Sequence, residues 1–368
     1  MRNALVVGGT GPTGPFVVNG LLERGYQVAI LHRGRHESPF IPDEVEHIHV
    51  DPYDADALRA GIGERRFSVA IASYGRLRAV ADALVGRAEH VVALGGTPTY
   101  RGWWFPEVNI PWGYPVPVSE SFPTAAIREE GDRSWKVARA EREFLDHVER
   151  GDFQGCILRL PYVYGPGQLV PREWSIMRRI LDGRPAILLP EGGLALLSHG
   201  YGVNLAHTML LAADNPSAAN GNAYNVGDEQ TLSLRQWVEV IATTMGKEID
   251  VVSMPDIPGH PSTAIMNHQY AHHRVMDLTN VKRDLGYRDV VPVLEALAVT
   301  TRWYLENPIP RGSELERNLQ DPFDYAVEDA VLQRVEATKA DLLTILTGEM
   351  VVQARAYESQ SLSPEHGH

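Results

Sequence analysis

The chain has 368 residues, 44% of them hydrophobic and 22% charged, more length than one average domain needs and enough apolar content to bury a core. Its net charge of −13 argues against general attraction to nucleic acid or to an anionic membrane. The single cysteine, Cys156, excludes an internal disulfide and points to a reducing, cytoplasmic setting, and the absence of a leader or a membrane-length apolar run in the sequence agrees with that expectation.

Strands are expected at Ala4–Val7, Gln27–Leu31, Glu46–Val50, Ser68–Ala72, His90–Leu94 and Cys156–Leu160, where short apolar, β-branched runs occur. Helical patterns at Thr13–Arg24, Ala55–Gly61, Arg76–Val85 and Ala125–Glu149 separate them. Continuously apolar strands alternating with helices specify an α/β fold, a doubly wound parallel sheet that binds its ligand at the carboxyl ends of the strands. Cys156 opens an apolar run and reads as a small buried hydrophobe.

The second half changes character. Helices are expected at Pro171–Arg184, Leu205–Ala213, Leu234–Met245, Asp277–Leu285 and Val293–Leu305, with a strand at Ala223–Val226 and an apolar stretch at Ala186–Leu197. These divide the chain into a Rossmann domain at 1–167, to which 198–230 returns, and a smaller interleaved substrate lobe at 168–197 and 231–310. A charged appendage at 311–357 carries an amphipathic helix near Ala326–Leu346, and a polar tail runs over 358–368.

Gly8, Gly11 and Gly14 follow the first strand and open the first helix, in the order Gly8-Gly9-Thr10-Gly11-Pro12-Thr13-Gly14. Gly8 permits the tight turn, Gly11 lets the backbone approach a pyrophosphate, and Gly14 permits close helix–strand contact. The amide groups of the helix opening then face the phosphates. At the end of the second strand an acidic residue would select NAD; this chain has His32-Arg33-Gly34-Arg35, and arginine suits the 2′-phosphate of NADP. NADP is the expected cofactor, with NAD as the alternative. Asp51, after the third strand, is placed either to meet the adenine or to cap the following helix.

The chain resembles the extended short-chain dehydrogenase/reductase family, the NAD-dependent epimerase/dehydratases, from its start to about Pro308. The resemblance rests on the glycine motif, Asp51, Thr97-Pro98-Thr99-Tyr100, Val118-Ser119-Glu120 ahead of Pro123, Leu158-Arg159-Leu160-Pro161-Tyr162-Val163-Tyr164-Gly165-Pro166-Gly167, Tyr224-Asn225-Val226-Gly227 and Asp277…Leu285-Gly286-Tyr287. It implies hydride chemistry at a nicotinamide near Thr97, Pro161 and Tyr162, and assembly as a homodimer. It also implies a Tyr-x-x-x-Lys pair on the helix containing Lys136, and that pair is absent. Counting back from Glu141 puts Arg133 and Val137 at the two positions, and counting from Lys136 puts Asp132 at the tyrosine position. Three accounts remain open: another acid–base group drawn from Lys136, Tyr162, His199 and Tyr201; a reaction needing less proton transfer from the protein; or a non-catalytic dinucleotide-sensing regulator.

Thr97, Lys136 and Tyr162 are therefore the catalytic candidates, and Tyr100, Trp103, Trp104, Tyr164, His199 and Tyr201 the candidate pocket, although His199 also reads as a structural histidine. The segment Gly193–Ser198 lacks the cation with which relatives hold a sugar-linked diphosphate, and aromatics crowd Trp103–Tyr114, so an apolar or aromatic small molecule is the expected substrate. The aromatics read equally as packing of the small lobe. His260, His268, His272 and His273 lack the companion ligands of a metal site, and no metal is expected. The sequence reading is an NAD(P)-dependent oxidoreductase acting on a small hydrophobic or aromatic carbonyl or alcohol, with the sensor or an epimerase/dehydratase as alternatives and no nucleic-acid or membrane partner.

Overall fold

In the computed structural model, which describes residues 2–34, 38, 40–73, 76–266 and 268–346, the apolar runs pair into one parallel sheet. Its strands are β1 (Arg2–Val7), β2 (Tyr26–His32), β3 (Glu46–His49), β4 (Phe67–Ala72), β5 (Ala88–Gly96), β6 (Gln154–Leu160) and β10 (Ala223–Asn225), in the order β10-β6-β5-β4-β1-β2-β3. The chain reverses direction of winding between β1 and β4, which is where such sheets open a crevice for a ligand. Helices α1 (Gly14–Glu23), α2 (Ala55–Ile62), α3 (Leu77–Leu84), α4 (Asp132–Glu149) and α6 (Gly202–Asp214) cover the sheet. Alternate residues of β1 point to opposite faces: Ala4 and Val6 join the cluster under α1 and α6, while Leu5 and Val7 join that under α2, α3 and α4. Burying each such Val or Leu contributes about 1.5–3 kcal/mol, which is why these strands carry almost no polar side chains.

The second lobe has its own apolar cluster, built by α5 (Arg172–Leu181), the helices Leu234–Thr244 and Val293–Glu306, and the strand pair β8 (Ala186–Pro190) and β11 (Asp250–Met254). A two-stranded sheet pairs β7 (Tyr162–Tyr164) with β9 (His199–Tyr201); both strands are three residues long, and neither was expected from the sequence.

The helix expected from Ala125 starts instead at Asp132. Ala125 is drawn off the helix path by donating its backbone N–H to Thr99 O, and Gly131 at φ 119° cannot continue a right-handed helix. The appendage docks on the body rather than standing apart. Arg178 pairs with Glu316 at 2.6 Å, and Arg179 pairs with Asp321 at 2.7 Å and Glu328 at 2.6 Å, all nearly buried. The appendage beyond Leu346 and the tail at 358–368 lie outside the described residues. Cys156 is fully buried, its thiol pushed up to about 12 by burial, consistent with a packing role.

Candidate active site

The glycine loop is shaped by contacts that only glycine allows. A Cβ on Gly14 would lie 1.9 Å from the carbonyl oxygen of Gly9, so α1 packs directly on the loop. Gly8 and Gly9 take φ of 104° and 86°, the left-handed region that favours glycine. At Gly11, by contrast, a Cβ would meet nothing within 4 Å, so that residue faces open space where a ligand can approach. No acidic side chain occupies the first turn of α1, so its exposed amides and positive dipole end are uncompensated. Gly8, Thr10, Gly11, Pro12, Thr13, His32 and Arg33 line a cavity of 280 Å³, closed on the other side by Val163 and Gln168. These residues fit the pyrophosphate and adenosine end of a dinucleotide.

Asp51 takes no part in this cavity. It is exposed, and its Oδ1 accepts the Tyr53 N–H at 3.0 Å. It does not cap α2 either, because Asp54 does so by accepting from Asp56 and Ala57. Arg35 lies outside the described residues. Beside Arg33 the sequence reading overlooked a histidine group. His32 ends β2 opposite His49 of β3, and His47 lies two residues back on the same face, so their ring nitrogens fall within 4.8 Å of one another. The His32 and His47 rings share a hydrogen bond at 3.1 Å. The signal was readable as His-x-His on an edge strand with a partner histidine at the strand end.

A second cavity of 960 Å³ shares Leu94 and Leu160 with the first and extends from the ends of β5 and β6. Thr97, Lys136, Pro161 and Tyr162 all line it, as do Trp103 and Trp104. The fold thus brings the three catalytic candidates to one space beside the glycine loop. Lys136 is 62% exposed and pairs with Asp132 at 2.5 Å, an interaction that lowers the Asp132 carboxyl below its ordinary value. Arg133, in the place a tyrosine would hold, also lines the cavity and lies 5.3 Å from the Trp104 ring centroid.

Four pocket candidates are packed inward. Tyr100 is fully buried, donates to Asn225 Oδ1 at 2.6 Å and accepts from Arg159 at 3.1 Å, and burial pushes its hydroxyl up to about 12. Tyr164 and Tyr201 are packed in the second-lobe cluster. His199 is wedged against Trp237 with ring centroids 4.1 Å apart, its Nδ1 donating to Leu197 O at 2.8 Å. Burial lowers His199 to about 4, so it is neutral near pH 7 and is not a ready proton donor. Aromatic residues next to a strand end satisfied the pattern of a pocket wall, but Tyr164, His199 and Tyr201 pack beside Trp237 and the second-lobe cluster, and Tyr100 packs against Arg159.

The buried pair of Glu141 and Arg159 was not anticipated. Arg159 Nη2 lies 3.0 Å from Glu141 Oε2, which also accepts from Thr99 at 3.1 Å. Burial raises the Glu141 carboxyl, opposed by Arg159. Together with Tyr100 and Asn225 they tie α4, β5, β6 and β10 into a fixed frame beneath the cavity. The segment Gly193–Ser198 has no cation, but Arg76, Arg128, Arg133 and Lys136 line the larger cavity, so that segment alone does not decide against an anionic substrate.

Known proteins are similar to this chain in sequence and in fold. The model of the NAD dependent epimerase/dehydratase family matches residues 136–227. A 3-diazoavenalumate denitrifying reductase from a Streptomyces species is 26% identical over 308 residues, covering 78% of this chain and 96% of that protein. The crystal structure of a UDP-glucose 4-epimerase from Thermotoga maritima, with UDP-glucose, superposes with a TM-score of 0.66 at 16% identity, covering 83% of this chain and 99% of that one. The Thermus thermophilus UDP-glucose 4-epimerase in complex with NAD gives 0.64 at 19% identity, covering 84% and 100%. At those identities the two structures speak to the fold. The glycine loop and the strand order agree with these similarities: the chain resembles the NAD dependent epimerase/dehydratase family, most directly over residues 136–227, and lacks the Tyr-x-x-x-Lys pair.

Proposed function

We propose that the protein is an NADP-preferring oxidoreductase that reduces a small aromatic or apolar carbonyl compound, with Tyr162 as proton donor. What carries the proposal is that Thr97, Lys136 and Tyr162 line one cavity that shares the walls Leu94 and Leu160 with the glycine loop. A bound NADPH supplies the hydride. Thr97 donates a hydrogen bond to the substrate oxygen, and Tyr162 delivers the proton as the carbonyl becomes an alcohol. The Arg172 guanidinium, 5.4 Å from the Tyr162 ring centroid, supports charge on the phenol oxygen after that transfer. Lys136, at the mouth of the cavity, adds positive charge where the phenolate forms. Trp103 and Trp104 give the cavity flat apolar walls suited to an aromatic ring. The extensively matched relative is itself named a reductase, which favours reduction over epimerisation.

The test is NADPH consumption, followed by absorbance, with panels of aromatic aldehydes, ketones and enones. Tyr162→Phe should lower kcat by about 10²–10⁴-fold while NADPH still binds. Turnover with no panel member despite tight NADPH binding would refute the enzyme reading in favour of a sensor. Unchanged rates in both Tyr162→Phe and Lys136→Met would remove the acid–base assignment.

A further inference from the structure

The histidines at the edge of the dinucleotide cleft form a group that the proposed reaction does not use. Strand pleating puts His47 and His49 on one exposed face of β3, while Ile48 between them turns into the core under α2. Parallel register sets His32, at the end of β2, directly beside His49. Val50 N–H donates to His32 O at 3.0 Å and ties the two strand ends together. Three imidazoles therefore stand on one patch of sheet, on a backbone fixed by ladder hydrogen bonds. Glu46, on the same strand, is engaged with Arg65 at 2.6 Å.

The rings converge and do not stack. Their planes cross at 72°, 89° and 88°, with centroids 5.1, 4.9 and 6.0 Å apart, and one ring nitrogen from each lies within 4.8 Å of the others. His32 Nε2 and His47 Nδ1 are 3.1 Å apart. Two nitrogens held tetrahedrally by one zinc ion at roughly 2.0–2.1 Å lie about 3.3 Å from each other, so this pair already has the spacing of two ligands. His49, on the exposed side, closes the remaining distance by side-chain rotation. Gly34 N–H approaches His32 Nδ1 at 3.3 Å, which leaves the ring proton on Nε2, pointing at His47 Nδ1. A bound ion would take that proton's place: the proton moves to Nδ1, the long Gly34 contact is given up, and His47 Nδ1 keeps its lone pair on the same point.

We propose that His32, His47 and His49 form a binding site for a divalent transition metal of the zinc class. Neutral imidazoles suit zinc, nickel and copper, whereas magnesium and calcium require oxygen ligands that this group lacks. Three protein nitrogens leave one tetrahedral position for a further ligand. His32 also lines the dinucleotide cavity with Gly8, Gly11 and Arg33, so an ion held there stands at the cavity's edge. The consequence for cofactor choice rests on the NADP reading: added positive charge beside Arg33 favours the 2′-phosphate, and the ion tightens NADPH more than NADH.

The test titrates the chelator-treated, full-length protein with Zn²⁺ by calorimetry and with Co²⁺ by visible absorbance. One ion per chain should bind at micromolar concentration, Co²⁺ should give the visible bands of a nitrogen-ligated ion, and Mg²⁺ and Ca²⁺ should not bind. His47→Gln and His49→Gln change exposed residues of an edge strand, so both variants should fold, as circular dichroism checks. Each should weaken Zn²⁺ at least about tenfold, and the double variant should lose it. No uptake of Zn²⁺, equal uptake of Mg²⁺, or uptake that survives in the double variant would overturn the site. Saturating Zn²⁺ should also raise the preference for NADPH over NADH at least about fivefold, and the double variant should not respond. Zn²⁺ uptake with both cofactor affinities unmoved would keep the site and overturn its effect on cofactor choice. Zn²⁺ uptake by a protein that binds no dinucleotide would refute the oxidoreductase reading and leave the metal site standing.

Discussion

Replacing Gly11 and Gly14 separately by alanine should divide two functions that lie three residues apart. At Gly14 the new Cβ would be placed 1.9 Å from Gly9 O, a backbone atom that can retreat only if α1 or the loop shifts. Overpacking of this kind costs about 1–3 kcal/mol, so Gly14→Ala should lose that much stability and, because the loop moves, dinucleotide affinity too. At Gly11 nothing lies within 4 Å and φ is not in the left-handed region, so the folded protein should tolerate alanine with a change of less than about 0.5 kcal/mol. The methyl group would nevertheless project into the space reserved for the pyrophosphate, and NADPH affinity should fall at least about tenfold, or 1.4 kcal/mol. Urea unfolding without ligand reads the first quantity, and NADPH fluorescence titration reads the second. A Gly11→Ala variant that binds as well as the parent, or a Gly14→Ala variant of unchanged stability and affinity, would refute this reading of the loop.

Further consequences can be checked with the same assays. Arg33→Ala should weaken NADPH by about tenfold or more and leave NADH nearly unaffected, since only the 2′-phosphate is lost as a partner; equal losses for both cofactors would count against NADP selection there. Removing one member of the buried ion pair, as in Arg159→Met, should cost about 3–5 kcal/mol near pH 7.5 because Glu141 is left without its counter-charge, and adding Glu141→Leu should recover most of it. His199 takes up its proton near 6.5 when unfolded but near 4 when folded, so between those values the unfolded chain binds more protons and stability falls as pH falls. Burial raises Glu173 to about 7 and Asp228 to about 6, which act in the opposite sense, so the effect is read as a difference. Between pH 7 and pH 5 the parent should lose about 2 kcal/mol more than His199→Gln; parallel pH profiles would contradict the neutral, buried histidine.

The parallel sheet was legible because its strands are buried on both faces and read as unbroken apolar runs; Leu5 and Val7 have no solvated alternative. The glycine loop was legible for a related reason, since Gly14 answers to a backbone contact that admits no side chain. Side-chain direction was not legible where elements are short. Tyr100, Tyr164 and Tyr201 have the composition of a pocket wall, yet they pack inward: Tyr164 and Tyr201 lie on three-residue strands too short to show a period, and Tyr100 follows a single turn at Thr97–Thr99. Tertiary pairs were hidden as well: Glu141 and Arg159 are 18 positions apart on different elements. The histidine group at His32, His47 and His49 depended on strand register, which apolar pattern alone did not supply.

The catalysis proposed for this enzyme begins with a dinucleotide seated on the first helix opening. Direct titration of the purified protein with NADPH, NADP, NADH and NAD by calorimetry measures this. One saturable site per chain, tighter for NADPH than for NADH, is the expected result. Absence of any association with all four at millimolar concentration would contradict it, and the catalytic assignments would lose their foundation.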